Sequence, residues 1–64
     1  MSKIRRGGYI FLTWRSDHPP RHVHVYRSGK FIVKWDLENK TPMRGIASAK
    51  LVELIEQLVR EGRL

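Results

Sequence analysis

The stretch DHPPRHVHVYRSGKFIVKWD, residues 17–36, decides the fold because it places two alternating segments on either side of a short turn. Apolar and polar side chains alternate over residues 22–26 and again over residues 30–36, which is the period of a half-buried β-strand. The Arg-Ser-Gly segment at residues 27–29 is typical of a hairpin connection. These residues therefore predict a β-hairpin.

Two turn lengths are compatible with this hairpin, and they place the side chains differently. A two-residue loop pairs His24 with Val33 and mixes histidine into the apolar face. A three-residue loop pairs Val25 with Phe31 and keeps the apolar side chains together, so we predict that loop. The polar face of the hairpin then contains His22, His24, Tyr26, Ile32, Lys34 and Asp36.

The segment before the hairpin predicts one more strand. Residues 9–14, Tyr-Ile-Phe-Leu-Thr-Trp, are aromatic and β-branched, with apolar side chains on both faces. A small sheet covered by one helix needs a single apolar face, so the second face indicates a dimer or partner interface. Residues 1–8 are expected to form a basic, mobile lead that ends in a Gly-Gly break.

The segment after the hairpin predicts a polar connection over residues 37–45 and then one helix. The helix is expected to run from Ala47 or Ser48 to Glu61, with Gly62 as the residue that ends it. Its apolar side chains recur at the i, i+3, i+4, i+7 spacing: Leu51, Leu54, Ile55 and Leu58. The predicted fold class is α+β, a three-stranded antiparallel sheet in β-β-β-α order with the C-terminal helix packed on its apolar face. Residues 1–64 are expected to form a single domain.

Composition narrows the partners. The chain has 13 Lys and Arg against 6 Asp and Glu, a formal charge of +7, and no cysteine. Such a charge is typical of proteins that bind nucleic acid, an acidic protein or an anionic membrane. Anionic lipid would repel the glutamates on the polar side of the predicted helix. The apolar run at residues 9–14 is too short for a signal peptide or a membrane span, so the sequence predicts a cytoplasmic protein with no membrane partner.

The polar face of the hairpin is the predicted working surface. Imidazole, phenol and ammonium groups on a sheet can hold phosphates and stack on bases, which favours RNA over DNA as the ligand. The predicted nucleic-acid-binding residues are Arg21, His22, His24, Tyr26 and Lys34.

A catalytic interpretation of the same residues is a metal-independent ribonuclease that uses His22 or His24. It requires a base for the 2′-OH proton, an acid for the leaving oxygen, and a cation such as Lys34 or Arg21 beside the phosphate. The groups available for the two proton-transfer roles are His18, His22, His24 and Tyr26.

The three histidines also raise a metal interpretation and a structural one. Two imidazoles at i, i+2 share one face of a strand, and His18 on the preceding loop could complete a three-ligand site. The spacing matches no established metal motif, so neither a metal nor another cofactor is predicted. In the structural interpretation, His18 hydrogen-bonds the backbone of the Pro-Pro loop, and the strand histidines are half-exposed.

Residues 17–25 resemble the Asp-His-x-Pro-Pro-His-Phe-His-Val signature of a family of small bacterial proteins of unknown function. Arg21 stands where that family has its second proline, and Val23 stands where it has phenylalanine. The resemblance continues through Met43-Arg44-Gly45 and the amphipathic segment at residues 51–58, which are similar in order and spacing. The residues that match the signature are Asp17, His18, Pro20, His22, His24 and Val25.

The resemblance implies a genetic context, because members of that family are often encoded beside a second small protein in pairs that look like toxin–antitoxin modules. The expected function is therefore an RNA-interacting component of such a pair, as a homodimer or in a complex with its neighbour. One alternative is a protein-interaction module with structural histidines that binds an acidic partner. The other is the ribonuclease described above.

Overall fold

The computed structural model describes residues 2–15 and 18–64, which form an antiparallel sheet with one C-terminal helix. The sheet has five strands in the order β1-β2-β3-β4-β5, so each strand pairs with its neighbours along the chain. The predicted α+β class with an antiparallel sheet and a terminal helix is confirmed, whereas the predicted number of three strands is wrong. The elements are β1 Ser2–Arg6, β2 Tyr9–Thr13, β3 His22–Arg27, β4 Lys30–Asp36, β5 Thr41–Gly45 and α1 Ala49–Arg60.

The core lies between α1 and one face of the sheet. The apolar stripe predicted from the helical spacing is buried, as expected for a helix that covers a sheet. The sheet meets it with side chains from its first four strands. The core residues are Ile4, Phe11, Val23, Val25, Val33, Trp35, Leu51, Leu54, Ile55 and Leu58.

The segment expected to precede the sheet contains its first strand. Residues Ser2–Arg6 pair with β2 through a turn at Gly7 and Gly8, both with positive φ. Ile4 lies opposite Phe11 and is buried, so one apolar side chain fixes the register of an otherwise basic strand. The expectation of a lead ahead of the sheet is therefore corrected for these residues.

The turn between β3 and β4 has two residues, so the predicted three-residue loop is wrong. Arg27 lies opposite Lys30, and the residues between them, Ser28 and Gly29, have φ values of 52° and 74°. Two successive positive φ values are the signature of a type I′ turn, whose twist matches that of the flanking strands.

A β-bulge corrects the side-chain pattern that this short turn would otherwise give. Tyr26 lies opposite Phe31, but Val25 lies opposite Val33, so Ile32 is an extra residue in β4. The two valines consequently share the core face. The bulge thus keeps the valines of both strands on one face, which the sequence predicts through a longer loop.

The bulge also exchanges the predicted positions of two apolar residues. Phe31 was expected in the core and is instead 40% exposed on the opposite face beside Tyr26. Ile32 was expected beside the histidines and instead packs against the core. Both corrections follow from one inserted residue, because a shift by one position exchanges the two faces of a strand.

The predicted polar connection contains the fifth strand. Residues Thr41–Gly45 pair with β4, with Arg44 opposite Lys34 and Gly45 opposite Val33. A second bulge leaves Met43 without a residue opposite it. Pro42 is compatible with this strand because β5 lies at the edge of the sheet.

Helix α1 begins and ends as its sequence predicts. The Ser48 hydroxyl accepts a hydrogen bond from the Leu51 amide at 3.2 Å, which caps the N-terminus. At the other end, the Gly62 amide donates to the Val59 carbonyl and the Arg63 amide donates to the Leu58 carbonyl, which is the Schellman motif. Among the described residues, no helix is long and apolar enough to cross a membrane.

One ion pair ties the end of β1 to the end of α1. The guanidinium of Arg6 donates two hydrogen bonds to the Glu61 carboxylate, at 2.6 and 2.8 Å. This contact lowers the pKa of Glu61 and raises the pKa of Arg6, because each charge stabilises the other. The pair holds the helix terminus against the first strand, so residues near both ends of the sequence are joined.

Candidate nucleic-acid interface

The face of the sheet that α1 leaves uncovered is the candidate site, and we call it the open face. Its members alternate with the core residues, since successive side chains of a strand point to opposite sides. Every strand of the sheet contributes at least one side chain. The open face consists of Lys3, Arg5, Ile10, Leu12, His24, Tyr26, Phe31, Lys34 and Arg44.

Two pairs of cations lie on opposite sides of the open face. Lys3 and Arg5 are on β1, whereas Lys34 on β4 lies directly opposite Arg44 on β5. Like charges at directly opposite positions destabilise a sheet. Among the described residues, the one ion pair is that of Arg6 with Glu61, so neither Lys34 nor Arg44 is neutralised by a described carboxylate. This pairing of two positive charges destabilises the folded sheet and favours the binding of an anion.

Among the described acidic residues, Asp36 is the one on a strand of the sheet, two positions after Lys34, and the others lie on α1, at its C-cap or after β4. Glu53, Glu56 and Glu61 belong to α1 or its C-cap, on the other side of the sheet. Glu38 follows β4, and one of its carboxylate oxygens accepts a hydrogen bond from the Arg21 amide at 2.6 Å. Asp36, at the end of β4, is 4% exposed. The charge separation makes the open face cationic, although the chain as a whole carries both signs.

An aromatic groove lies on the side of the open face that contains Lys34 and Arg44. Phe31 and Tyr26 meet edge to face, with ring centroids 5.8 Å apart, and the Arg44 guanidinium lies 5.8 Å from the Phe31 centroid. The open cavity has a volume of about 550 Å³. The residues that line it, which we call the Phe31 groove, are His24, Tyr26, Phe31, Lys34, Met43 and Arg44.

His24 is one of the residues that line the Phe31 groove. Its ring contacts Trp14 edge to face at 4.9 Å between centroids, and it contacts His22 in the same manner at 5.2 Å. The Nδ1 atom of His24 is shielded from solvent. His24 therefore joins the groove to a small aromatic cluster at the end of β3.

His22 is held inside this cluster. It is 7% exposed, and its Nδ1–H donates to the Pro20 carbonyl at 2.8 Å. A carbonyl only accepts, so this bond places a hydrogen on Nδ1 and fixes the orientation of the ring. A general base must come within hydrogen-bond reach of its substrate, and the burial of His22 opposes that role. Of the two catalytic candidates, His24 is the one that lines the groove.

Asp36 orders the turn between β4 and β5. Its carboxylate accepts hydrogen bonds from the Asn39 side chain at 2.7 Å and from the Asn39 and Glu38 amides at 2.9 and 2.8 Å. These donors, the Asn39 side chain foremost, hold the pKa of Asp36 below its usual value, and His22 across the strand pair lowers it further. The turn positions β5 and therefore Arg44.

Stability is expected to fall in acid partly through Asp36. The folded pKa lies below the unfolded one, so the contribution of this carboxylate is present at neutral pH and is lost as the pH falls through about 4 and below. Asp36→Asn should therefore weaken the acid dependence of the urea midpoint measured between pH about 6 and about 3. Glu53→Gln on the exposed side of α1 is the matched control. An unchanged acid dependence in Asp36→Asn would contradict the assignment.

The structure brings together three of the five predicted binding residues. His24, Tyr26 and Lys34 line the Phe31 groove, as one surface. Arg21 and His22 instead line a separate cavity of about 380 Å³ that also includes residues 63–64. The five predicted binding residues are thus divided between the Phe31 groove and this second cavity.

The other predicted candidates have different positions. His18 is exposed in the loop before β3, and Asp17 lies outside the described residues. Within residues 2–15 and 18–64, no three His, Asp or Glu side chains are placed to hold a metal ion.

Three residues of the groove, Phe31, Met43 and Arg44, were not predicted from the sequence. Phe31 alternates with Val33 and Trp35, so its pattern indicated the core, and only the bulge moves it. Arg44 was assigned to a polar connection because β5 has no buried residue to reveal it as a strand. Residues 41–45 also contain a proline and a glycine, which are depleted in strands, so the sequence offers no signal for an edge strand there.

Comparison with known proteins gives a family and no activity. No curated protein and no solved structure is significantly similar to the chain. The family described as "Domain of unknown function (DUF4160)" matches residues 7–63, from the turn after β1 to the residue before the C-terminus. The resemblance to a family of small proteins of unknown function is thus confirmed at that level. Because the match covers most of the sequence, the chain belongs to this family.

Proposed function

We propose that the protein binds nucleic acid, RNA in the first place, through the open face of its sheet. The observation that carries this proposal is the pairing of Lys34 with Arg44, without a described carboxylate as ion-pair partner, beside the exposed ring of Phe31. A polyanion with stackable bases satisfies both features at once, whereas a simple anion satisfies only the charges.

The dimensions of the open face support an extended ligand. Strands are spaced by about 4.8 Å, so the cations of β1 lie roughly 14 Å from Lys34, three strands away. One phosphate cannot reach both sides of such a surface. A chain of phosphates can, and the apolar side chains of β2 then lie beneath the bases or sugars.

The proposal predicts a charge-dependent affinity that can be measured by fluorescence anisotropy with labelled RNA. Lys34→Gln should weaken binding and reduce the slope of log affinity against log salt by about 0.7–0.9, the value for one lost phosphate contact. Lys50→Gln removes the same charge from the exposed side of α1 and is the matched control. It should leave the slope almost unchanged, because that side chain is across the sheet from the ligand.

Two results would contradict the proposal. The first is equal effects of Lys34→Gln and Lys50→Gln, which would mean that net charge and not the open face governs binding. The second is the absence of binding to RNA and DNA at low salt. A stable complex with the protein encoded by a neighbouring gene would then favour the interaction-module alternative. The toxin–antitoxin-like pairing stays a prediction, and such a complex would support it.

Cleavage is a separate question that the same surface raises. His24 lines the groove, so it is the residue through which a ribonuclease activity would operate. RNA cleavage that His24→Ala abolishes, with binding retained, would support that alternative. Binding without cleavage would leave the protein as an RNA-binding component.

A further inference from the structure

We infer that the Phe31 groove seats an unpaired base, so that the protein selects single-stranded nucleic acid over duplex. This inference rests on the proposed function and adds the conformation of the ligand to it. It concerns the face of one ring, Phe31, and the two cations beside it.

Phe31 is placed as a platform for stacking. It is 40% exposed, and its contact with Tyr26 is edge to face at 76° between ring planes, so the two aromatic rings do not stack on each other. Exposed aromatic side chains on a sheet are the surfaces on which single-stranded RNA stacks its bases. Without a bound base, the exposure of this large apolar ring to water is unfavourable.

Lys34 and Arg44 complete the site for a nucleotide. Both line the same groove as Phe31, and the guanidinium of Arg44 lies close enough to the ring for a cation–π contact. A base on Phe31 would therefore have its own phosphate within reach of two cations. The groove volume of about 550 Å³ is within the range of about 300–1,000 Å³ typical of small-ligand sites.

The centre of the open face disfavours a duplex. Ile10, Leu12 and Tyr26 form an apolar strip between the cations of β1 and those of β4 and β5. A duplex presents its phosphates outward and keeps its bases stacked inside, so it would lay charged groups over this strip. A single strand can turn its bases toward the strip and its phosphates toward the cationic margins.

The test compares a labelled short RNA strand of mixed sequence, the same sequence as DNA, and the RNA duplex, by anisotropy at one salt concentration. The wild type should bind both single strands more tightly than the duplex. Phe31→Leu keeps an apolar side chain without a stacking face, and it should weaken single-strand binding about fivefold or more while leaving duplex binding unchanged. Phe31→Tyr should restore the single-strand affinity. Val59→Ala, at an apolar residue of similar exposure on α1, is the control.

A second measurement follows the fluorescence of a single base in the RNA strand. An RNA strand with 2-aminopurine at one position should show quenched fluorescence on binding when that base stacks on Phe31, and Phe31→Leu should abolish the quenching. Equal or tighter binding of the duplex by the wild type, or full single-strand affinity in Phe31→Leu, would overturn the inference. Either result would leave the proposed function standing, since the charge dependence of Lys34 would persist. Tighter binding of the DNA strand than of the RNA strand would contradict the proposed preference for RNA.

Discussion

Gly45→Ala is expected to lower the free energy of unfolding by about 2–5 kcal/mol, which is a large part of the stability of a domain of this size. The residue has φ of +82°, and a Cβ added to it would lie 2.3 Å from the Ile32 carbonyl oxygen. The left-handed conformation costs about 1–2 kcal/mol for a residue with a side chain. The backbone contact adds the cost of moving β5 away from β4.

Gly29→Ala separates these two costs. Gly29 has a similar φ of +74°, but a Cβ there meets nothing within 4 Å. The free energy of unfolding should therefore fall by about 1–2 kcal/mol in Gly29→Ala, which is the conformational cost alone. Urea unfolding followed by tryptophan fluorescence measures both variants. Equal losses would show that the close approach of the two strands at Gly45 contributes nothing.

The close approach at Gly45 matters for the site because it sets the position of β5. Arg44 precedes Gly45 and lies opposite Lys34, so the two cations of the groove depend on the same strand pairing. A side chain at position 45 would separate the strands beside them. Gly45→Ala is thus also expected to weaken RNA binding under conditions in which it still folds.

The three inner strands, β2, β3 and β4, could be predicted from the sequence. Alternation over β3 and β4 and the helical spacing of α1 report which side chains avoid water, and the core confirms them. The bulge at Ile32 could not be predicted, because an inserted apolar residue beside Val33 leaves the same pattern as a longer turn. The predicted faces are therefore correct for the valines, the strand histidines and Lys34, and wrong for Phe31 and Ile32.

The two edge strands were missed for a different reason. In β1, Ile4 is the one buried residue of a basic segment, and β5 has none. Such segments form strands because a neighbouring strand offers hydrogen bonds, not because their own side chains require burial. Charged side chains and a proline are also common on edges, where they oppose pairing with other chains.

The candidate site could be predicted in part for the same physical reasons. Three of its residues, His24, Tyr26 and Lys34, are on strands whose alternation is clear. Phe31 required knowledge of the bulge, and Arg44 required knowledge of the fifth strand. His22 was predicted beside them, yet its ring is turned into the protein by the hydrogen bond to Pro20, which alternation does not reveal.

Phe11→Ala is expected to lower the free energy of unfolding by about 3–5 kcal/mol, whereas Phe31→Ala should lower it by about 1 kcal/mol or less. Phe11 is fully buried at the centre of the sheet, so its removal leaves a cavity between the sheet and α1. Phe31 is exposed, and its removal loses the edge-to-face contact with Tyr26 and the cation–π contact with Arg44.

Comparing Phe11→Ala with Phe31→Ala decides whether Phe31 belongs to the core or to the open face, because the same side chain is deleted at both positions. Urea midpoints of the two variants, measured at one pH with an unchanged slope, give the difference directly. A loss at Phe31 as large as that at Phe11 would return Phe31 to the core and remove the platform from the groove. For Phe31→Ala we expect a small loss of free energy of unfolding together with a large fall in affinity for single-stranded RNA. An exposed aromatic side chain that contributes little to stability is explained by the ligand that it binds.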